Sequence, residues 1–245
     1  MTRQPTLSTQ IEDQGFAIRN AVLSPHQVHQ LQAALDRIPQ SPTQHRRGGI
    51  RNLLDESAVV HHLAASPEIR NLVQPILGPQ CFPVRGILFD KLPAANWKVP
   101  WHQDLTIAVQ NQVETEGFGP WSIKADVLHV QPTPHVLEGM LSVRIHLDPC
   151  AESNGALRVI PGSHKQGRIP ENRIPDLRLS TPEVICEVEC GGALLMRPLL
   201  LHASSPSQVP AHSRVIHLDF AATTLPNGLR WFSQPPSPPK KETPR

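Results

Sequence analysis

Arg85-Gly86-Ile87-Leu88-Phe89-Asp90 and, shortly after it, Trp101-His102-Gln103-Asp104 decide how this chain is read. The first run has the apolar, β-branched and aromatic character of a strand. In an extended chain alternate side chains point the same way, so His102 and Asp104 offer an imidazole and a carboxylate to one face. A His-x-Asp pair joined by one distant histidine makes a 2-His-1-carboxylate facial triad. That arrangement leaves coordination positions open for non-haem Fe(II) oxygen chemistry. Three-residue patterns recur by chance, so the assignment depends on whether the remaining parts follow in order.

They do. Pro198-Leu199-Leu200-Leu201-His202-Ala203-Ser204 reads as an apolar strand that delivers a histidine to its end. Twelve residues later (214 − 202), Ser213-Arg214-Val215-Ile216-His217-Leu218-Asp219-Phe220 reads as a strand with an arginine at its start. If these two strands pair antiparallel, His202 and Arg214 lie side by side, an iron ligand next to a clamp for a dicarboxylate. A guanidinium suits that task because it stays charged and pairs bidentately with a carboxylate.

Around these motifs the chain alternates short strands with turns. Gly15 to Arg19 reads as a strand, and Ser24-Pro25 as the cap and first turn of a helix carrying Val28, Leu31, Leu35 and Ile38 on one face. A helix over Glu56 to Ala64 and another from Ser66-Pro67 to Gly78 complete a helical stretch within 24–78. From Phe82 onward strands dominate: Leu141 to Asp148 alternates, Ala156 to Ile160 follows a Ser-Asn-Gly turn, and Val184–Val188, Gly191-Gly192 and Ala193–Met196 form a candidate hairpin. Short strands punctuated by Gly and Pro indicate a barrel or sandwich, mainly β with flanking helices. We expect one domain over 1–224, and a Pro-rich tail over 225–245 that is extended or disordered.

Bulk properties exclude several classes. The net charge is +2 with Lys and Arg scattered, so nucleic acid is not an expected partner. No apolar run approaches membrane-spanning length, and Met1 to Gln10 lacks the core of a signal peptide. The four cysteines show no C-x-x-C spacing, which fits reduced structural thiols and a cytoplasmic home. The oligomeric state is left open.

The ordered set resembles the phytanoyl-CoA dioxygenase family of Fe(II)/2-oxoglutarate oxygenases. Lys91, Trp101-His102-Gln103-Asp104, Trp121, the block Gly155 to Lys165, Arg197-Pro198 through Ser204, and Arg214 carry the resemblance. It implies a double-stranded β-helix, a jelly-roll, cupin-like core. It also implies iron on His102, Asp104 and His202, and O2 and 2-oxoglutarate as cosubstrates. The far carboxylate of 2-oxoglutarate would go to Arg214, helped by Ser204. Lys91, Gln103 and Trp121 match further cosubstrate contacts by position. The implied reaction hydroxylates a C–H bond of a small molecule and releases succinate and CO2. Halogenation is disfavoured because Asp104 occupies the position where a halide would bind.

Each candidate has a plainer reading. Arg214 can serve as a strand-end ion pair, Lys91 as a solvated lysine, and Trp97, Trp101 and Trp121 as core. His129, His135, His146 and His164 compete as ligands, and Arg144 faces either the barrel interior or the outer surface. Arg46-Arg47 is a thin candidate for coenzyme A phosphates. A cupin-like metal-binding protein without turnover and a zinc hydrolase are the rival functions, the latter lacking a general base and leaving Arg214 unexplained.

Overall fold

The computed structural model describes residues 5–38, 49–91, 96–208 and 212–233; Arg46-Arg47 and the proline run 235–239 lie outside the described residues. The strands are β1 (Phe16–Arg19), β2 (Gly49–Arg51), β3 (Phe82–Asp90), β4 (Val99–His102), β5 (Ile107–Val109), β6 (Trp121–Lys124), β7 (Val127–Val130), β8 (Met140–His146), β9 (Leu157–Val159), β10 (Val184–Cys186), β11 (Ala193–Met196), β12 (His202–Ser204) and β13 (Arg214–Ala221). They form a six-stranded sheet in the order β1-β11-β8-β13-β3-β2, a four-stranded sheet β10-β9-β12-β4, and a small sheet β5-β7-β6. Every pairing within them is antiparallel. From β3 onward the strands of the two larger sheets alternate along the chain except for the β9–β10 pair, which is the winding of a double-stranded β-helix.

The six-stranded sheet has two sharply different faces. On β8 and β13, Val143, Ile145, Ile216 and Leu218 turn outward and pack against helices, while Ser142, Arg144, His146, Val215 and His217 turn inward. The helices on that outer face are α2 (Pro25–Leu35), α3 (Leu53–Glu56), α4 (Ala58–Ala64) and α5 (Pro67–Leu77), preceded by α1 (Leu7–Gln14). Val28, Leu31 and Leu35 of α2 and Ile69 and Val73 of α5 supply the apolar stripe. Ser24 caps α2 in a capping box with Gln27, and Ser66 caps α5; both helices have proline in the first turn.

The structure adds one helix and corrects three sequence expectations. First, α1 lies inside a polar N-terminal stretch. Thr6 caps it, Gly15 ends it with φ 81°, and only Ile11 is buried, so its periodicity is weak. Second, β10 and β11 are not a hairpin, because they belong to different sheets. Third, residues 198–201 are not strand: His202 begins β12 rather than ending it. Fourth, the tail does not start at 225. Leu225, Leu229 and Trp231 are buried in a second apolar cluster, Pro226–Gly228 forms a 3-10 turn, and Trp231 Nε1 donates to the Thr223 carbonyl (2.9 Å). The aromatic and leucine side chains override the proline-rich context there.

The inner space is divided. Leu157, Val159, Cys186, Leu194, Met196 and Leu200 fill one half with apolar packing. The other half is a cavity of about 490 Å³. Among the described residues no helix is long and apolar enough to cross a membrane. Ile145 is fully buried on the central strand. Ile145→Ala is expected to lower stability by about 2–5 kcal/mol, read by denaturant unfolding.

Candidate metal centre and cosubstrate pocket

The metal-binding candidate is assembled on the four-stranded sheet. His202 on β12 sits directly opposite His102 on β4, with ring centroids 4.2 Å apart. Asp104 follows two residues beyond His102, its backbone N–H held by the Pro198 carbonyl at 2.9 Å. The nearest His102 Nε2 to Asp104 Oδ1 distance is 3.7 Å, and His202 Nε2 lies 3.8 Å from Asp104 Oδ2. One donor atom from each of the three falls within 4.8 Å of the others. His202 is buried, whereas His102 and Asp104 are 37% and 42% exposed, so the set opens toward the cavity.

The donor chemistry fits a divalent metal. His102 Nδ1 lies 2.9 Å from the Pro100 carbonyl, and His202 Nδ1 lies 2.9 Å from the Leu200 carbonyl. A carbonyl only accepts, so each Nδ1 carries the proton and each Nε2 presents a lone pair inward. Burial pushes the His202 imidazole down to about 4, which keeps it neutral and able to ligate at ordinary pH. Burial pulls the Asp104 carboxyl upward, but the neighbouring imidazoles of His202, His217 and His102 outweigh it and hold it below the usual range.

At one end of the cavity stands Lys91. Its Nζ donates to Ser204 Oγ (3.0 Å), the Ser205 carbonyl (2.6 Å) and the Gly155 carbonyl (3.4 Å). Burial lowers its ammonium to about 8. Gly155 has φ +86°, and a Cβ there would fall 2.6 Å from Lys91 Nζ, so only glycine leaves room for the cation. Ser204 is two residues beyond His202 on the same strand, about 7 Å along it. Above this end lies His146, buried, with burial pushing it to about 3 and neither ring nitrogen partnered. Arg144 faces the cavity one rung further along β8. Its Nη1 lies 3.1 Å from His217 Nδ1, and its Nε is unpartnered. Unpartnered buried polar atoms lining a cavity mark a place built for a polar guest.

The other expected cosubstrate residues are placed elsewhere. Arg214 belongs to the helix-facing register of β13. Its Nε and Nη2 each donate to the Asp148 carboxylate at 2.9 Å, and Nη1 lies 3.6 Å from Asp36. Strands β12 and β13 belong to different sheets, so Arg214 is not beside His202. The inward position is taken by Ser213. Gln103 touches the cavity, but its amide is taken up by backbone: Nε2 donates to the carbonyls of Gly167 (2.8 Å) and Leu199 (2.6 Å), and Oε1 accepts from the Ile169 N–H (2.8 Å). Trp121 faces Val130 and packs in the second apolar cluster. Trp101 lies outside the cavity, under the guanidinium groups of Arg158 and Arg178, while Trp97 lines it. His164 sits against the Glu12 carbonyl, away from the metal candidate.

Sequence reasoning did not single out Arg51, Arg85 or Lys124, which also line the cavity. For Arg85 a signal existed, since it shares the inward parity of Ile87 and Phe89. Arg51 and Lys124 sit on short strands with no motif around them.

A family model described as Phytanoyl-CoA dioxygenase (PhyH) matches residues 11–214. No curated protein sequence matches the chain. Among solved structures, EctD from S. alaskensis with 2-oxoglutarate and 5-hydroxyectoine is similar at 20% identity, covering 88% of this chain and 74% of that one, with a TM-score of 0.66. The non-haem α-ketoglutarate-dependent epimerase SnoN of nogalamycin biosynthesis is similar at 14% identity, over 89% and 82% of the two chains, with a TM-score of 0.66. The carbocyclase SnoK of the same biosynthesis is similar at 15% identity, over 90% and 84%, with a TM-score of 0.65. At these identities the likeness establishes the fold.

Gln103→Ala removes three hydrogen bonds to backbone, one buried and two part-buried. It is expected to cost about 2–3 kcal/mol in denaturant unfolding while metal stoichiometry stays unchanged.

Proposed function

The chain belongs to the phytanoyl-CoA dioxygenase family of Fe(II)- and 2-oxoglutarate-dependent oxygenases, and from that membership we propose that it hydroxylates a C–H bond of a small molecule, releasing succinate and CO2. The observation that carries this reading is the convergence of His102, Asp104 and His202 at the floor of a cavity whose far end holds a buried ammonium.

In this reading His102 and His202 bind ferrous iron through Nε2 and Asp104 through a carboxylate oxygen. Bound there, the iron supplies dioxygen activation and C–H oxidation coupled to decarboxylation of 2-oxoglutarate. The protein's part is orientation. Pro100 and Leu200 fix the imidazole tautomers, and Gln103 pins the segment Gly167–Ile169 beneath the metal strand. Lys91 takes the far carboxylate of 2-oxoglutarate, with the Ser204 hydroxyl beside it. We assign Arg214 a structural task instead, joining β13 to Asp148 and the end of α2. A zinc hydrolase is less well supported, since Asp104 is the one carboxylate among the described residues lining the cavity and no second acid serves as general base. The four cysteines all stand free, in keeping with a reducing compartment such as the cytoplasm.

The test is anaerobic titration of the Fe(II)-loaded protein with 2-oxoglutarate, followed by the weak visible band of the chelate. The band should vanish in His102→Ala. Lys91→Met should weaken 2-oxoglutarate by about 10- to 100-fold, the worth of a charge-assisted hydrogen bond. Arg214→Ala should leave that affinity within about twofold and instead lower stability, because Asp148 loses its partner. Absence of the band in the wild type, with iron bound, would sink the reading.

The same titration has a pH signature. Lys91 loses its proton as pH climbs through about 8, so its attraction for the dianion is complete below that value and fades above it. Affinity for 2-oxoglutarate should therefore fall above about pH 8 with proton uptake on binding, and Lys91→Met should abolish that component.

A further inference from the structure

The cavity carries far more positive charge than the cosubstrate accounts for. Among its described lining residues, five are cationic and one is acidic, and the acid is Asp104. The five fall into separate places. Lys91 stands at the Ser204 end. Arg85 is on β3 six residues before it, about 20 Å away along the extended chain, at the opposite end. Arg144 lies between them. With Arg85 gather Arg51 of β2, whose backbone pairs with Ile87, and Lys124 of β6.

Among the described residues, the partners of Arg85 and Lys124 supply little counter-charge. Arg85 Nη1 is 4.0 Å from Asp219 Oδ2, too long for a hydrogen bond. The other Asp219 oxygen already accepts from Ser142 Oγ (2.6 Å) and lies 2.8 Å from His217 Nε2. Lys124 Nζ donates to the neutral hydroxyl of Thr106 at 2.9 Å, and Thr106 also lines the cavity. Burial, then Arg85 and Arg51, lower the Lys124 ammonium, which places the three cations close enough to repel one another. Beneath them His129 is buried with Nε2 unpartnered. Holding Arg85 and Lys124 together in a part-buried wall is unfavourable unless an anion enters beside them. Iron adds more positive charge, and one bound dianion of 2-oxoglutarate does not offset the total.

We propose that Arg85 and Lys124, with Arg51 beside them on the same wall, form the substrate's anchor, and that the substrate is an organic anion whose carboxylate or phosphate docks there with its reactive carbon toward the His102–Asp104–His202 face. This rests on the oxygenase reading and narrows it: Arg85 and Lys124 select a negatively charged small molecule, while Lys91 holds the cosubstrate at the other end. Two anion sites at opposite ends of one cavity let both molecules bind together without exchanging places. Guanidinium groups accept carboxylate and phosphate alike through paired hydrogen bonds, so the choice between the two is left to the test.

The experiment is calorimetric titration of the protein loaded with Fe(II) and saturating 2-oxoglutarate, without oxygen, using matched probes. These are hexanoate against hexanamide, hexyl phosphate against hexanol, and inorganic phosphate alone. At least one anionic probe should bind about tenfold or more tightly than its neutral partner, and the pair showing the larger difference identifies carboxylate or phosphate. Lys124→Met and Arg85→Gln should each weaken that anion by about tenfold or more, and Lys124→Arg should restore it. Lys91→Met should weaken 2-oxoglutarate and spare the probe. Equal binding of charged and neutral partners, an anion that competes with 2-oxoglutarate, unchanged affinity in both wall variants, or no binding by any anion each overturns the proposal. A missing 2-oxoglutarate band with anion binding that still depends on Lys124 overturns the oxygenase reading and leaves the anion site standing.

Discussion

Each central strand of the six-stranded sheet has one side that faces helices and one that faces the cavity, and no residue can belong to both. That constraint comes from the two-residue period of an extended chain, and the rest of the molecule follows from it. On β8 and β13 the outward set is aliphatic and closes the helical layer, with Ile145, Ile216 and Leu218 buried. The inward set is mostly polar, and Arg144, His146 and His217 build the pocket wall beside Val215. A shift of one residue along either strand would place guanidinium and imidazole groups in the apolar layer and valine and isoleucine in the pocket. The apolar layer therefore fixes the chemistry of the opposite face.

The same period explains which parts of the site were legible. His102 and Asp104 stand two apart, and one extended segment carries both to one place. His202 was found because its order in the chain matched, and the register opposite His102 brought it there. Arg214 was legible as a functional type of residue but not as to its face. Ser213 holds the inward parity, so the arginine turns to Asp148 instead. Gln103 sits between the two candidate ligands, and its amide ties down a loop instead of joining them.

Other features could not be read from local pattern at all. The winding that sends β10 and β11 to different sheets depends on pairings with partners far away in sequence. Composition alone suggested an extended or disordered tail, yet Trp231 and Leu229 find an apolar cluster formed by β5, β7 and the end of β13. The cavity's charge is a product of folding in the same sense. Arg51, Arg85, Lys91, Lys124 and Arg144 are spread along the chain with no basic run among them, and topology alone converts a nearly neutral sequence into a strongly cationic interior.

The two histidines take their tautomers from their own backbone, each from the carbonyl two residues before it. Those carbonyls belong to the local chain and are present whatever occupies the centre. The chain therefore specifies a geometry and a proton inventory, not an element. Two imidazole nitrogens and one carboxylate attract the later first-row divalent ions more strongly than ferrous iron. Discrimination in favour of iron then lies with the ions on offer where the protein folds, and purified material will carry the history of the medium it came from.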